Sequence, residues 1–341
     1  MKQMAILFLA LLALFIMGRA AAQESPARVT ILYDAFGKPS TLKRGWGYSA
    51  LVEYGGKRIL FDTGGDGDDF AFNVKTLGVD LTRLDFVVLT HRHGDHTSGL
   101  RYVLSLNPGV KIYTPADGTV FGGGGGLPGG ALGKLIQRKV DSVPEDMRYF
   151  GGNPPVKPVA VTGWPTPWPG ANIVQIREPT EVLPGFFLFS TLSDTAGTRE
   201  MNEISMAIRT PQGIVLIVGC SHPGIEKILE AASKIDSKIY SVFGGFHLVD
   251  LTDAEVSRMA TSFRDKWKIE RMSPGHCTGQ FAFSEFIRVY GSKFDQAGLG
   301  SVIALPPLSI KAAQRQQWQI VLASWRPDSG PTPNRTLQST R

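Results

Sequence analysis

Asp85-Phe86-Val87-Val88-Leu89-Thr90 runs without a break into His91-Arg92-His93-Gly94-Asp95-His96. The first six residues form a short apolar run with a polar end, the pattern of a buried β-strand that finishes at the protein surface. The next six place two imidazoles one residue apart, then a carboxylate and a third imidazole, so one strand-to-helix turn carries four donors. Imidazole and carboxylate, with thiolate, are the side chains that zinc prefers, at about 2.0–2.2 Å. A tight turn at Gly94 lets His91 and His93 face one ion while Asp95 and His96 face another.

Working outward, the chain has six histidines, and the other three lie in equally short glycine-containing motifs. These are Gly219-Cys220-Ser221-His222-Pro223-Gly224, Gly244-Gly245-Phe246-His247-Leu248 and Pro274-Gly275-His276-Cys277-Thr278-Gly279. The two cysteines each stand within two residues of a histidine, and no histidine is left for ordinary duties. The three motifs end the strand-like runs IVLIVGC (214–220), KIYSVFGGF (238–246) and KIERMSPG (268–275), which should deliver them to the same sheet edge as His91.

Further strand patterns cover 28–35, 48–65, 111–115, 172–176, 186–190 and 204–210, and Gly55-Gly56 between two apolar runs indicates a hairpin. Helical periodicity covers 225–235, 253–267 and 281–290. Strands come first and then alternate with helices, the order of sheets covered by helices on their outer faces.

The chain of 341 residues is 43% apolar and 19% charged, enough to bury a core without a lattice of disulfides. Glycine, at 39 residues, is about 11% against a usual share of about 7%, which implies many tight turns. Net charge is +6, and two of the basic residues, Lys2 and Arg19, fall in a segment read below as removed. So mild an excess does not indicate a nucleic-acid partner.

Residues 1–22 combine Lys2, an apolar stretch from Ala5 to Met17 and Ala20-Ala21-Ala22. The stretch is shorter than the roughly 20 residues that span a bilayer, and its small-residue end suits a signal peptidase. The expectation is cleavage after Ala22 and an exported protein, periplasmic or secreted, with no stable membrane association afterwards; the alternative is an uncleaved anchor. One domain should occupy 28–310. Residues 117–170, with Gly122–Gly126 and the cluster VTGWPTPWPG (161–170), read as a long loop or insertion: either a linker or a substrate wall carrying Trp164 and Trp168. Residues 326–341 read as a flexible tail.

The run from His91 to His96 resembles the HxHxDH signature of the metallo-β-lactamase superfamily, and Phe61-Asp62-Thr63-Gly64 resembles its first motif. The resemblance implies an αββα sandwich of two mixed sheets, with helices on the outer faces and two divalent ions at one edge. Zinc is the first expectation for the metal, with manganese or iron as alternatives. Asp62 would support the metal loop by hydrogen bonding, and His276 would be the closing ligand. The three later motifs resemble the subgroup of 7,8-dihydropterin-6-methyl-4-(β-D-ribofuranosyl)aminobenzene-5'-phosphate synthases. One departure stands out. Superfamily hydrolases commonly carry a metal histidine in the hairpin before the strand that ends in a bridging aspartate, whereas here LSDTAGTREMNEISMAI (192–208) has none. His222 is therefore expected to supply that imidazole. Cys220, at the position of the bridging aspartate, is a thiolate ligand or a buried neighbour. His247 is a ligand, or a substrate-facing acid or base. Cys277 reads as structural, and a Cys220–Cys277 disulfide is the rival for both thiols in an oxidising compartment.

The chemistry implied is hydrolysis of an ester, lactone, amide or phosphoester bond in a small molecule, with Asp95 as general acid–base and His247 as second proton donor or oxyanion stabiliser. Alternatives are a transferase or synthase reaction like that of the subgroup, or a metal-dependent binding protein without turnover. Oligomeric state is not legible.

Overall fold

The computed structural model describes residues 26–116, 138, 140–152, 168, 170–195, 198 and 200–308. The segment 1–22 read as a signal, most of 117–170 including Trp164, and the segment 326–341 read as a tail lie outside the described residues.

The chain opens with β1 (Arg28–Tyr33), β2 (Ser49–Tyr54) and β3 (Lys57–Phe61). In the β2–β3 hairpin Tyr54 pairs with Lys57 across Gly55 and Gly56. Both turn glycines have positive φ, 59° and 76°, the conformation a two-residue turn of this hand requires. Helix α1 (Gly67–Thr76) follows, where the glycine-rich sequence gave no helical expectation. Its signals are local: the Asp66 side chain accepts from the amides of Asp68 and Asp69, acidic residues fill the first turn, and Lys75 stands in the last.

Next come β4 (Phe86–Val88), α2 (Gly94–Thr97), α3 (Leu100–Leu106), β5 (Lys111–Pro115), β6 (Asn172–Ile176), β7 (Thr180–Leu183), β8 (Phe186–Leu192), β9 (Asn202–Thr210) and β10 (Gly213–Val218). The chain then alternates through α4 (Ile225–Ser233), β11 (Ile239–Gly245), α5 (Asp253–Asp265), β12 (Arg271–Gly275), α6 (Gln280–Tyr290) and β13 (Val302–Ala304). The short strands β7 and β13 carried no expectation.

Two mixed sheets result, ordered β13-β1-β2-β3-β4-β5-β6 and β12-β11-β10-β9-β8-β7. Ile31, Val52, Phe61 and Val88 of the first sheet meet Met206, Val215, Ile217 and Phe243 of the second in one buried cluster between them. On the outer face of the second sheet, Leu216, Val218 and Val242 pack with Ile228, Val256, Phe263 and Phe286 of α4, α5 and α6. On the outer face of the first, Leu60 and Val87 pack with Phe70, Val74 and Val103 of α1 and α3, and Trp168 joins this cluster. Helix, sheet, sheet and helix layers form the expected αββα sandwich.

Pairing direction positions the site. β3 and β4 are parallel, as are β10, β11 and β12, so within each set the carboxyl ends lie at one edge. The backbone amide of Ile204 donates to the Thr90 carbonyl at 2.8 Å, which joins the two sheets at that edge. Ligand sites of such sheets form beyond the carboxyl ends of the strands.

Candidate metal centre

His91, His222, His247 and His276 sit just past strand ends, and His93 and His96 are carried on the turn and helix α2 that follow β4. β3 is followed by Asp62, β4 by Thr90 and His91, β10 by Cys220 and His222, β11 by His247, and β12 by His276. Four of the residues at these ends, Asp62, Ser221, His247 and His276, hold positive φ between 45° and 64°. Such backbone persists only where the surroundings over-determine it, and it clusters at functional sites.

Asp62 is fully buried and organises the first loop. Its carboxylate accepts from the Thr90 amide and the Thr90 hydroxyl, both at 2.8 Å, and from His96 Nδ1 at 2.6 Å. A carboxylate oxygen accepts, so His96 Nδ1 carries a proton toward Asp62 and Nε2 is the ring atom turned inward. The Thr90 hydroxyl, having donated to Asp62, accepts from His91 Nδ1 at 2.8 Å, which frees His91 Nε2 in the same way. One carboxylate thus sets the orientation of two imidazoles, directly and through a hydroxyl.

The freed nitrogens meet other donors. His91 Nε2 lies 3.1 Å from His93 Nδ1. The His222 ring is 5.0 Å from that of His91 and 4.8 Å from that of His93, centroid to centroid. One ligand atom from each of these three residues lies within 4.8 Å of the other two. In a second group, His96 Nε2 is 3.2 Å from His276 Nε2, and Cys220 Sγ is 3.2 Å from the first and 3.1 Å from the second. Asp95 Oδ2 completes it, 3.5 Å from His276 Nε2 and 3.8 Å from His96 Nε2. His247 lies beside His222, with centroids 4.4 Å apart, and hydrogen-bonds Cys277. The structure therefore brings together all of His91, His93, Asp95, His96, His222, His247, His276 and Cys220. Both cysteines are free and buried, so the disulfide alternative is not formed.

Burial and the neighbouring imidazoles hold His91 and His222 below their ordinary range, in the neutral, electron-donating form. Burial acts the same way on His96, but the carboxylates of Asp62 and Asp95 outweigh it and raise it to about 9. His247 rises to about 9, where the hydrogen bond to Cys277 overcomes burial. For Asp95 the positive field of His96 and the hydrogen bond from His276 overcome burial and keep the carboxyl ionised. Burial pushes the Cys220 thiol up.

The donor chemistry fits a pair of cations. Neither ring nitrogen of buried His222 has a hydrogen-bond partner among the described residues, and an orphaned buried nitrogen is costly. His91 Nε2 and His93 Nδ1 at 3.1 Å, and His96 Nε2 and His276 Nε2 at 3.2 Å, are spaced much as ligands of a common ion are, since nitrogens at about 2.0–2.1 Å from one centre lie about 3.3–3.4 Å apart.

Sequence reasoning missed the supports of the later motifs. Fully buried Glu203, in the hairpin region that lacks a histidine, accepts the amides of Cys220 (2.8 Å), Ser221 (2.7 Å) and His222 (2.9 Å). Asp34, at the end of β1, accepts the His276 amide at 2.9 Å. Tyr149 donates to the His276 carbonyl at 2.6 Å, and the Trp46 ring lies 4.8 Å from the His276 ring. A lone acidic residue beside an apolar strand was the only available signal, and both Glu203 and Asp34 carry it.

A family model of the metallo-β-lactamase superfamily matches residues 44–276. A 7,8-dihydropterin-6-methyl-4-(β-D-ribofuranosyl)-aminobenzene-5'-phosphate synthase of Methanocaldococcus jannaschii is 27% identical over 302 residues, covering 80% of this chain and 93% of the relative. An uncharacterized protein of the same organism is 28% identical over 278 residues, covering 76% and 93%. A crystal structure described as a metal-dependent hydrolase of the β-lactamase superfamily shares the fold, with a TM-score of 0.61 at 24% identity over 82% of this chain and 99% of its own. Since the family match takes in every strand end from Asp62 to His276, the chain belongs to the metallo-β-lactamase superfamily.

Proposed function

We propose that the protein is an exported metal-dependent hydrolase acting on an ester, lactone, amide or phosphoester bond of a small molecule. The observation that carries the reading is the meeting of two donor groups at one sheet edge, His91, His93 and His222 in one and Asp95, His96 and His276 in the other. Each set would hold one divalent ion, zinc in the first instance. Such a pair supplies, when bound, a hydroxide at neutral pH and a Lewis acid for the scissile bond.

The chain's own groups handle the protons. Asp95 is held ionised by His96 and His276, so its carboxylate can take the proton of the attacking water and pass it to the leaving group. His247 keeps a proton at neutral pH and can give it to a leaving oxygen or nitrogen. Asp62, through His96 and Thr90, keeps the donor nitrogens turned inward while the proton moves.

The test is elemental analysis of protein purified without chelator, followed by a hydrolase substrate panel on native and Asp95→Ala protein. About two ions per chain are expected, with a loss of roughly 10²–10⁴-fold in kcat for Asp95→Ala at unchanged circular dichroism. Metal below about 0.2 ion per chain would be incompatible with ligand sets of this kind.

A second reading, group transfer or synthesis, is favoured by the 27% identity to the synthase over 93% of its length. It predicts product only when a second organic substrate is present. Export is supported by Lys2, the apolar stretch to Met17 and the alanines at 20–22, and no helix among the described residues is long and apolar enough to cross a membrane. Mass spectrometry of the exported protein should show a chain beginning at Gln23; a chain retaining Met1 in the membrane fraction would contradict it.

A further inference from the structure

We propose that the groove between loop 39–44 and segment 145–151 binds the non-reacting end of the substrate, and that this end carries an ammonium and a carboxylate together. The inference rests on the hydrolase reading above and deepens it by naming a substrate class. It assigns Arg44, Glu145 and Asp146, to which that reading gives no role.

The groove encloses about 780 Å³, the size of a site for a small organic ligand. Both of its walls lead to the metal centre. Arg44 stands two residues before Trp46, whose ring lies 4.8 Å from that of His276. Phe150, on the other wall, directly follows Tyr149, whose hydroxyl donates to the His276 carbonyl at 2.6 Å. Two residues of chain span at most about 7 Å, so the groove and His276 are neighbours.

Neither wall is free to drift. The buried Asn73 side chain grips the backbone of Lys43 on both sides, accepting from its amide at 2.7 Å and donating to its carbonyl at 2.9 Å. Arg44 Nη2 donates to the Gly37 carbonyl at 2.6 Å, which aims the guanidinium, and its Nη1 would lie 2.9 Å from a methyl group placed on Gly151 of the opposite wall. There the Phe150 amide donates to the Ala35 carbonyl at 2.6 Å, and Phe150 is held at φ 53°.

The two walls differ in charge. Lys43 and Arg44 line one, Glu145 and Asp146 the other, and Asp69 of α1 also lines the groove. Among the described residues no ion pair joins any of these five. Burial and the Asp66 carboxylate raise Asp69, and the field of Lys43 opposes them, so Lys43 and Asp69 partly offset each other. Arg44 on one side and Glu145 with Asp146 on the other keep uncompensated charges of opposite sign. Since the walls are pinned apart, a ligand complements both only by bringing an anion to Arg44 and a cation to the two carboxylates. A guanidinium has five N–H donors in a fork that suits a carboxylate, and Arg44 spends one of them on Gly37. Leu42 and Phe150 supply apolar surface for the carbon chain of the ligand.

The experiment compares matched nitroanilides with full-length protein as purified. Their acids are pentanoate, glutarate, δ-aminopentanoate and glutamate linked through its γ-carboxyl, so the free ends are neutral, anionic, cationic and zwitterionic. The glutamate compound should show a kcat/KM at least about tenfold above that of pentanoate, with the difference in KM, because these contacts hold ground state and transition state alike. Arg44→Met should cut this preference about tenfold, the size expected for one charged hydrogen bond. Glu145→Gln combined with Asp146→Asn tests the other wall independently, even where Arg44→Met fails to fold, and should cut the preference as well. Equal kcat/KM across the four compounds, or a preference that both variants leave intact, would overturn the groove assignment while leaving the hydrolase reading in place. Calorimetric titration with glutamine reads the groove without turnover. Glutamine binding that either variant weakens about tenfold, with metal content unchanged, supports the groove even if no nitroanilide is cleaved, an outcome that counts against the hydrolase reading alone. No glutamine binding at millimolar concentration would overturn the groove assignment.

Discussion

Glu203 shows how one side chain can set a loop. Its carboxylate is buried at the head of β9 and collects three consecutive amide protons, from Cys220, Ser221 and His222. Burial raises its pKa to about 7, against the pull of the Ser221 and His222 amides. A carboxyl in so dry a place is costly. What it secures is a turn with Ser221 at φ 64°, which points Cys220 and His222 into the site. Glu203→Ala would leave three buried amides without an acceptor and should cost roughly 2–4 kcal/mol in urea denaturation. Glu203→Gln keeps one carbonyl oxygen and should cost less. The Ala variant should also lose metal, since both donors hang from this turn; an Ala variant within about 0.5 kcal/mol of the parent would refute the role.

At the scale of elements, the site depends on how closely β10 and β11 approach. Gly244 has φ 111°, and a methyl group on its α-carbon would stand 2.0 Å from the Val218 carbonyl oxygen. The neighbouring Gly245 leaves room for Cys277, whose sulfur would be 2.8 Å from a side chain there. These glycines let two parallel strands end side by side with His222 and His247 in ring contact. Gly244→Ala should therefore cost more than about 3 kcal/mol, as overpacking added to a strained φ, and should separate His247 from His222. Thermal unfolding with metal analysis would check this; an unchanged melting temperature would mean that the strands tolerate wider spacing.

Taken as a whole, the molecule places several costs at one edge: strained backbone at Asp62, Ser221, His247 and His276, and buried ligand atoms of two donor sets gathered within 4.8 Å of one another. Cations that bind only the folded chain offset them. At free metal a thousandfold above Kd, each site contributes about 4 kcal/mol. Stripping both ions should lower the melting temperature by roughly 15–30 °C, given about 2–4 °C per kcal/mol for a domain of this size. Calorimetry before and after chelation, and again after zinc is restored, measures the shift; an unchanged Tm would argue against cations as part of the fold.

The sequence alone determined what short-range chemistry can encode. Residues 85–96 announce a buried strand ending in metal donors, Gly55-Gly56 a hairpin turn, and the repeated apolar-run, glycine, histidine pattern a common sheet edge, because strand period and turn geometry act over a few residues. The tertiary structure alone decided the grouping of the donors. His222 joins His91 and His93, while His276 joins His96 and Cys220, because the two sheets stack in one particular register. It also supplied the supports: Glu203 meets residues 17–19 positions away, Tyr149 meets His276 across 127, and Asp34 meets His276 across 242. No local pattern records such partners, since a buried carboxylate is stable only where distant amides arrive to satisfy it.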